Sequence, residues 1–401
     1  MSTATAASLN CASTAERITL RPAGPADLPA LLALNRRFYG DEHWVNAEFF
    51  GWRFGPTPAG DPISWLALDG DTLAGTYSVL PVPLRMHGRD VLGSVSFGLL
   101  MNPDYATVVL RRAGRLQTLF LALAERVHDE CRQRGLLLSC VFPNARSLAG
   151  FVNHLGFKQV DDLRFRVRPL AFRRLVALKW PGARALSWLA GGLARAAFGV
   201  LYPAPRSARF VRVVSLAWND ARLDELWRSA ADGWPIARVR DAAYYRWRFE
   251  SNPFAMYHLL GALEGERLVG TLVYTLQAFH DRQRGLATEA GAIADWFVSN
   301  NEAGAQVLTD LLVEAAARLC SHECRRDACT TTPALILAAD NRDALWRAAF
   351  RRAGFYTFPA EKAPRKFPFL VQVHEGESSP RAADAFESRN WFITLADNDV
   401  V

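Results

Sequence analysis

The sequence predicts an α/β fold built twice: two tandem domains, each a central mixed β-sheet flanked by helices. Three observations carry this. The chain has 401 residues, half of them hydrophobic, which is enough for two cores of ordinary domain size. Period-2 apolar segments alternate with segments of helical period. Finally, Ala47–Thr76 aligns without gaps on Ala242–Thr271 at a constant offset of 195, with eleven of thirty positions identical. Trp52-Arg53-Phe54 matches Trp247-Arg248-Phe249, and Pro58, Gly70, Leu73 and Gly75 match Pro253, Gly265, Leu268 and Gly270. Later, Asn144…Gly156-Phe157 is echoed by Asn341…Gly354-Phe355.

In chain order, residues 1–17 are small and polar and read as a disordered tail. Ile18–Arg21 reads as a strand, Asp27 caps a helix to Arg37, and Ala47–Phe54 forms a second short helix. Pro56, Pro58, Gly60 and Pro62 then break the chain. Ser64–Leu68 and Leu73–Val82 form a hairpin around Asp69-Gly70-Asp71. A turn at His87–Asp90 leads into a strand whose apolar end is Val95–Met101. After the turn signal Asn102-Pro103-Asp104, three arginines, Arg111, Arg112 and Arg115, surround Gly114. From Leu116 the positions Leu116, Leu119, Phe120, Leu123, Ala124 and Val127 recur at helical spacing, to a stop near Gly135. A strand leading through a basic, glycine-containing loop into a helix sets free N–H groups and guanidinium groups together, which suits a diphosphate or any other anion. Leu136–Val141 is a buried strand, Asn144 caps a helix ending at Gly156, and Phe157–Val160 begins another strand.

The repeat sets expected boundaries at 18–165 and 210–375, with residues 166–209 between them and 376–401 as an extension ending in a strand. Trp-Arg-Phe binds substrate or is structural, and its presence in both halves favours structure. From Leu163 to Asn219 there is no acid but eleven arginines and lysines, and Ala185–Leu201 is uncharged except for Arg195. That stretch reads either as an interfacial amphipathic segment or as linker helices packed on the domains. The net charge of +7 and pI near 9.3 favour an anionic partner, and no basic block interleaved with aromatics points to nucleic acid. No apolar run approaches the roughly eighteen residues of a spanning helix. A cytoplasmic setting with the six cysteines reduced is expected. Cys320, His322, Cys324 and Cys329 hold soft metal ligands at short spacing, without the paired spacing of a zinc ribbon, and read as structural.

This element order, with its phosphate loop, resembles the GNAT superfamily of acyl-CoA-dependent N-acetyltransferases, in tandem. The family loop has Arg or Gln, two residues, Gly, one residue, then Gly or Ala; Arg111-Arg112-Ala113-Gly114-Arg115-Leu116 matches at Arg111 and Gly114 and departs at Leu116. The resemblance implies acetyl-CoA as co-substrate, held by Arg111, Arg112, Ala113, Gly114, Arg115, Leu116 and Gln117. It also implies Asn144 in the turn before the last helix, and an oxyanion held by N–H groups of Leu99, Leu100 and Met101. The family tyrosine that protonates the leaving thiolate falls on Val152 and Phe350, neither of which transfers protons. Glu42 and His43, in the loop that walls the family's acceptor site, are the candidate bases. The second loop, Ser299–Gln306, lacks arginine and carries Glu302, so the cofactor is expected in the first domain alone. The expected acceptor is a small-molecule amine, such as an amino sugar or lipid-linked saccharide precursor. Two rival readings are a non-catalytic scaffold and an aminoacyl-tRNA-dependent peptidyltransferase.

Overall fold

The computed structural model describes residues 15–40, 45–112, 115–179, 187–201, 211–281, 286–320, 333–341, 344–358, 366–375 and 379–398. The first repeat runs β1 (Ile18–Pro22), α1 (Leu28–Tyr39), α2 (Ala47–Arg53), β2 (Ile63–Asp69), β3 (Thr72–Met86), β4 (Arg89–Met101), β5 (Val109–Arg112), β6 (Arg115–Thr118), α3 (Leu119–Gln133), β7 (Leu138–Val141), α4 (Leu148–His154) and β8 (Lys158–Asp162). Then come β9 (Arg164–Pro169), α5 (Phe172–Lys179) and α6 (Ser187–Leu201). The second repeat runs β10 (Arg212–Ser215), α7 (Arg222–Ala230), β11 (Ile236–Arg238), α8 (Ala242–Tyr245), β12 (Tyr257–Glu264), β13 (Arg267–Asp281), β14 (Leu286–Val298), α9 (Glu302–Cys320), β15 (Leu335–Asp340), α10 (Ala344–Arg352) and β16 (Tyr356–Thr357). The chain closes with β17 (Pro368–Val373), α11 (Pro380–Phe386) and β18 (Trp391–Phe392).

The duplication is present strand for strand. One sheet has the order β1-β2-β3-β4-β7-β17-β8 and the other β10-β12-β13-β14-β15-β9-β16. Both hairpins carry the same bulge: register shifts between Ala67 and Leu68 in one and between Ala262 and Leu263 in the other. Both short helices are capped at aligned positions, by Asn46 accepting from Glu48 and Phe49 N–H and by Asp241 accepting from Tyr244 N–H. Trp-Arg-Phe is largely structural. Phe54 stacks on Phe50 with ring centroids 3.9 Å apart, Phe249 lies in the second core, and Arg53 and Arg248 are buried.

The sixth strand of each sheet is exchanged. β17, from the end of the chain, pairs antiparallel with β7, Leu370 opposite Val141. β9, which follows the first repeat, pairs antiparallel with β15 from Leu335–Pro169 to Asp340–Arg164. The buried Arg166 locks that second pairing with a two-pronged bond to Asp340, Nε–Oδ2 3.0 Å and Nη2–Oδ1 2.8 Å. The chain therefore divides into unit 1 (residues 1–84, 90–160, 368–387) and unit 2 (85–89, 161–367, 388–401). The boundaries read at 165 and 375 differ from this division. An apolar strand has the same local pattern whichever sheet it joins, so the exchange leaves no trace in the sequence.

In unit 1, α3 lays Leu119, Ala122, Leu123, Val127 and Cys131 on one face of the sheet, with Tyr77, Val79 and Phe157. On the other face Leu31, Leu34 and Phe50 pack over Leu66, Leu73 and Leu100. Unit 2 is centred on Trp234, Trp296 and Trp346, all fully buried. No helix among the described residues is long and apolar enough to cross a membrane.

Candidate functional site

The opening of interest in unit 1 is where β4 and β7 part. They run parallel through Gly93–Leu138, Ser94–Ser139 and Val95–Cys140. β7 ends at Val141, while β4 continues to Met101. Among the described residues, no strand or bridge pairs with β4 past Val95 on that side. Gly98 kinks β4 there with φ of +59°, and a Cβ at Gly98 would stand 3.1 Å from Phe54 Cζ. Conformation and space both select glycine. Asn102 N–H donates to Ala74 C=O at 2.9 Å, on the β3 side. The alternation of an antiparallel ladder then gives Leu100 to β3 and turns the N–H groups of Leu99 and Met101 to the open side. The Leu100 side chain is buried in the α1–α2 face, while Leu99 and Met101 pack partly on the α3 face.

A polar layer lies at and beneath the vertex, unmarked by any motif. Ser94 and Ser139 hydroxyls meet at 2.6 Å, and Ser139 Oγ lies 2.9 Å from His374 Nε2. Tyr77 OH reaches Ser96 Oγ at 2.8 Å and His128 Nε2 at 3.4 Å. Burial, reinforced by the other cations around them, depresses His128 to about 3 and His374 to about 4. Burial also pushes the Cys131 thiol up to about 12. Burial favours the uncharged form of all three at neutral pH, and the layer ties the strands together where they part. The unfolded chain protonates its histidines near 6.5, before the folded one does. Stability is therefore intact above that pH and falls below it, by about 1.4 kcal/mol per pH unit for each histidine down to pH 4. His374→Gln should flatten the slope of unfolding free energy against pH by about that amount. Denaturant titrations between pH 6.5 and 4 check this, and an unchanged slope would mean His374 titrates in the folded protein.

The basic loop is folded differently from the expectation. Helix α3 begins at Leu119, not Leu116, with Thr118 as its cap; Thr118 Oγ1 accepts from Leu121 N–H, and Leu119 N–H donates to Val108 C=O. Residues 109–118 form the hairpin β5–β6, in which Arg111 faces Leu116 and Arg112 faces Arg115. Leu116 is 70% exposed, so its helical spacing to Leu119 and Phe120 was coincidental. Ala113 and Gly114 lie outside the described residues. Arg111 and Arg115 are exposed, and neither forms an ion pair among the described residues. Only the backbone of Arg112 is described. Gln117 Nε2 donates to Glu125.

Asn144 sits just past the end of β7, exposed, and its Oδ1 accepts from Arg146 and Ser147 N–H at 2.9 and 3.1 Å. It caps the turn ahead of α4, which starts at Leu148. Val152 lies on α4 and is 41% exposed. Phe350 is buried beneath Arg166, whose Cζ lies 5.5 Å from the ring centroid. Glu42 and His43 lie outside the described residues. So do His322, Cys324 and Cys329, and among the described residues no three metal-ligating side chains cluster.

Unit 2 has the same divergence, but it is filled. β14 pairs with β15 only from Ala290–Leu335 to Ile293–Ala338. The segment 388–398 occupies the gap beyond. Thr394 bridges Asp340, and Thr394 Oγ1 donates to Asp295 Oδ1 at 2.7 Å. Asn341, the counterpart of Asn144, donates to Trp391 C=O and accepts from Ile393 N–H. Phe392 packs against Trp234 and Trp296 at 4.2 and 4.8 Å. The start of α9 is closed as well. Asn301 Oδ1 accepts from Gly304 N–H, and a Cβ on Gly304 would lie 1.9 Å from the Ser299 carbonyl oxygen.

Solved structures share this fold along most of the chain. One is a GCN5-related N-acetyltransferase from Anabaena variabilis (TM-score 0.55, 13% identity, 89% of this chain and 73% of that one). A second is a probable N-acyltransferase from Enterococcus faecalis (0.56, 10%, 89% and 73%). A third is Saccharomyces cerevisiae N-myristoyltransferase with bound myristoyl-CoA (0.52, 14%, 89% and 83%). The fold is that of the GNAT superfamily. No protein-family model and no curated protein matches the chain. At such identities the GNAT likeness is one of fold, and the chemistry has to be argued from the residues.

Proposed function

We propose that the protein is an acyl-CoA-dependent acyltransferase that binds its cofactor in unit 1 and transfers the acyl group to an amine. The observation that carries this is the open divergence of β4 from β7, set against its filled counterpart in unit 2. The thioester carbonyl would lie along β4 with its oxygen at the N–H groups of Leu99 and Met101. Those donors are fixed before reaction and stabilise the oxyanion that forms as the amine attacks. Arg111, Arg112 and Arg115 on the β5–β6 hairpin would supply cations for the diphosphate. With valine at 152, the thiolate leaves without a side-chain acid from that position. Glu42 or His43 would accept the amine proton. Acetyl is the default acyl group and an amino sugar the default acceptor.

Acetyl-CoA at a hundredfold its Kd should stabilise the protein by about 2.7 kcal/mol. Gly114→Asp, which adds a carboxylate next to Arg115 in the sequence, should abolish the thermal shift. An undiminished shift in that variant places the cofactor elsewhere. Myristoyl-CoA in parallel distinguishes a short acyl pocket from a long one. Glu42→Gln and His43→Ala should lower turnover more than they weaken binding.

A membrane surface fits α6. Its Phe198 packs inward, 5.3 Å from Phe172 and 6.4 Å from Tyr356. The opposite stripe is bare: Leu189, Leu193 and Val200 are 47%, 73% and 82% exposed. An uncovered apolar stripe in a stretch with no acid suits an anionic lipid headgroup layer, where each cation adds about 1 kcal/mol. The protein should co-sediment with anionic vesicles at low salt and less at high salt, and Leu193→Asp should release it. Concentration-dependent dimerisation without vesicle binding would assign the stripe to a second copy.

A further inference from the structure

Unit 2 buries a guanidinium that pairs with no carboxylate among the described residues. Arg238 ends β11 and is only 7% exposed. Its Cζ lies 5.3 Å from the ring centroids of both Tyr244 and Trp247. Among the described residues its Nε has no hydrogen-bond partner and no carboxylate is paired with it. Two described acids nearby, Asp295 and Asp397, are held by Arg240. Arg240 Nε lies 3.1 Å from both oxygens of Asp295, and its Nη2 lies 2.7 Å from Asp397 Oδ2. Tyr244 OH and Thr394 Oγ1 also donate to Asp295. Arg248 turns to the carbonyls of Ala396 and Asn398. Burial works against the Arg238 charge; Tyr244 and Asp397 nearby support it and Arg248 and Arg240 oppose it, with a net push downward, yet a guanidinium does not give up its proton in a protein.

An unpaired buried cation costs several kcal/mol. Two aromatic contacts offset part of that cost but satisfy none of the N–H donors, which lie in the guanidinium plane. With rings beside it, the group offers its edge, and that edge matches two oxygens of one anion. Trp247 is partly exposed and carried on a π-helical turn, Arg246–Glu250, so this side of the site is not sealed. We propose that Arg238, flanked by Tyr244 and Trp247, is a binding site for an oxyanion, the carboxylate or phosphate group of a small molecule. The site lies wholly within unit 2 and does not depend on acyl-CoA binding.

The test is thermal unfolding of the full chain, without acyl-CoA, titrated with sodium acetate, inorganic phosphate or sodium chloride at matched ionic strength and pH. The expected result is a saturable rise in midpoint with acetate or phosphate beyond that with chloride. The better of the two identifies the group. The rise should be lost in Arg238→Met and reduced in Arg238→Lys, which keeps the charge but not the two-pronged edge. If Arg238→Met does not fold, Trp247→Leu takes its place, removing one aromatic flank while keeping the cation, and should weaken the response. Equal responses in wild type and variants, or a wild-type midpoint no higher in acetate and phosphate than in chloride, would overturn the proposal.

Discussion

Asp295→Ala should lower the stability of unit 2 by about 3–5 kcal/mol, because it leaves a buried charge without its partner. The side chains of Arg240 and Asp295 are fully buried. Removing the carboxylate strips Arg240 of its Nε contacts and leaves the Tyr244 and Thr394 hydroxyls without their acceptor. Asp295→Asn keeps the volume but not the charge, and should fall between the two. Thermal or denaturant unfolding measures this. A loss under about 1 kcal/mol would show that solvent reaches the cluster and screens it, as at a surface pair.

The second large effect follows from the exchanged strands. A chain ending at Phe367 loses β17 from unit 1 and the 388–398 segment from unit 2 at one cut. In unit 1 the edge of β7 is left bare where Leu370 and Val371, both fully buried, had covered it. In unit 2 Trp234 and Trp296 lose Phe392, and Arg240 loses Asp397. The truncated chain should show no cooperative unfolding transition and should aggregate through its open edge. Residues 210–375 expressed alone lack β9, so β15 has no antiparallel partner and Asp340 no Arg166. That fragment should also fail to fold. A native-like transition from it, by circular dichroism and calorimetry, would show that the exchange is dispensable.

Much of the fold was legible because duplication repeats local signals. The turn around Gly70 recurs at Gly265, and the structure reproduces even the bulge beside it. The asparagine after the fifth strand was legible too, as Asn144 and as Asn341. What stayed hidden is non-local. β9 straddles the expected boundary at 165 and β17 lies in the tail of the second repeat; neither was singled out as a strand, and only the folded chain decides which edge each one covers. The segment 376–401 read as an extension, because nothing in Trp391-Phe392-Ile393-Thr394 says that it fills a gap. Arg238 and Arg240 carried no signal of their own, since burial of an arginine depends on partners far away in sequence. The helix start failed for a local reason. Leu116 stands three residues before Leu119 and extends the helical period, but Thr118 caps the helix and the hairpin claims the residues before it.

The central claim is that one unit of the pair keeps an open cofactor site while the other has closed its own. The number of acetyl-CoA molecules held per chain, by native mass spectrometry of the intact protein, tests this most directly. The account predicts one per chain, and none in Gly114→Asp. Two per chain, or one that persists in that variant, would contradict it.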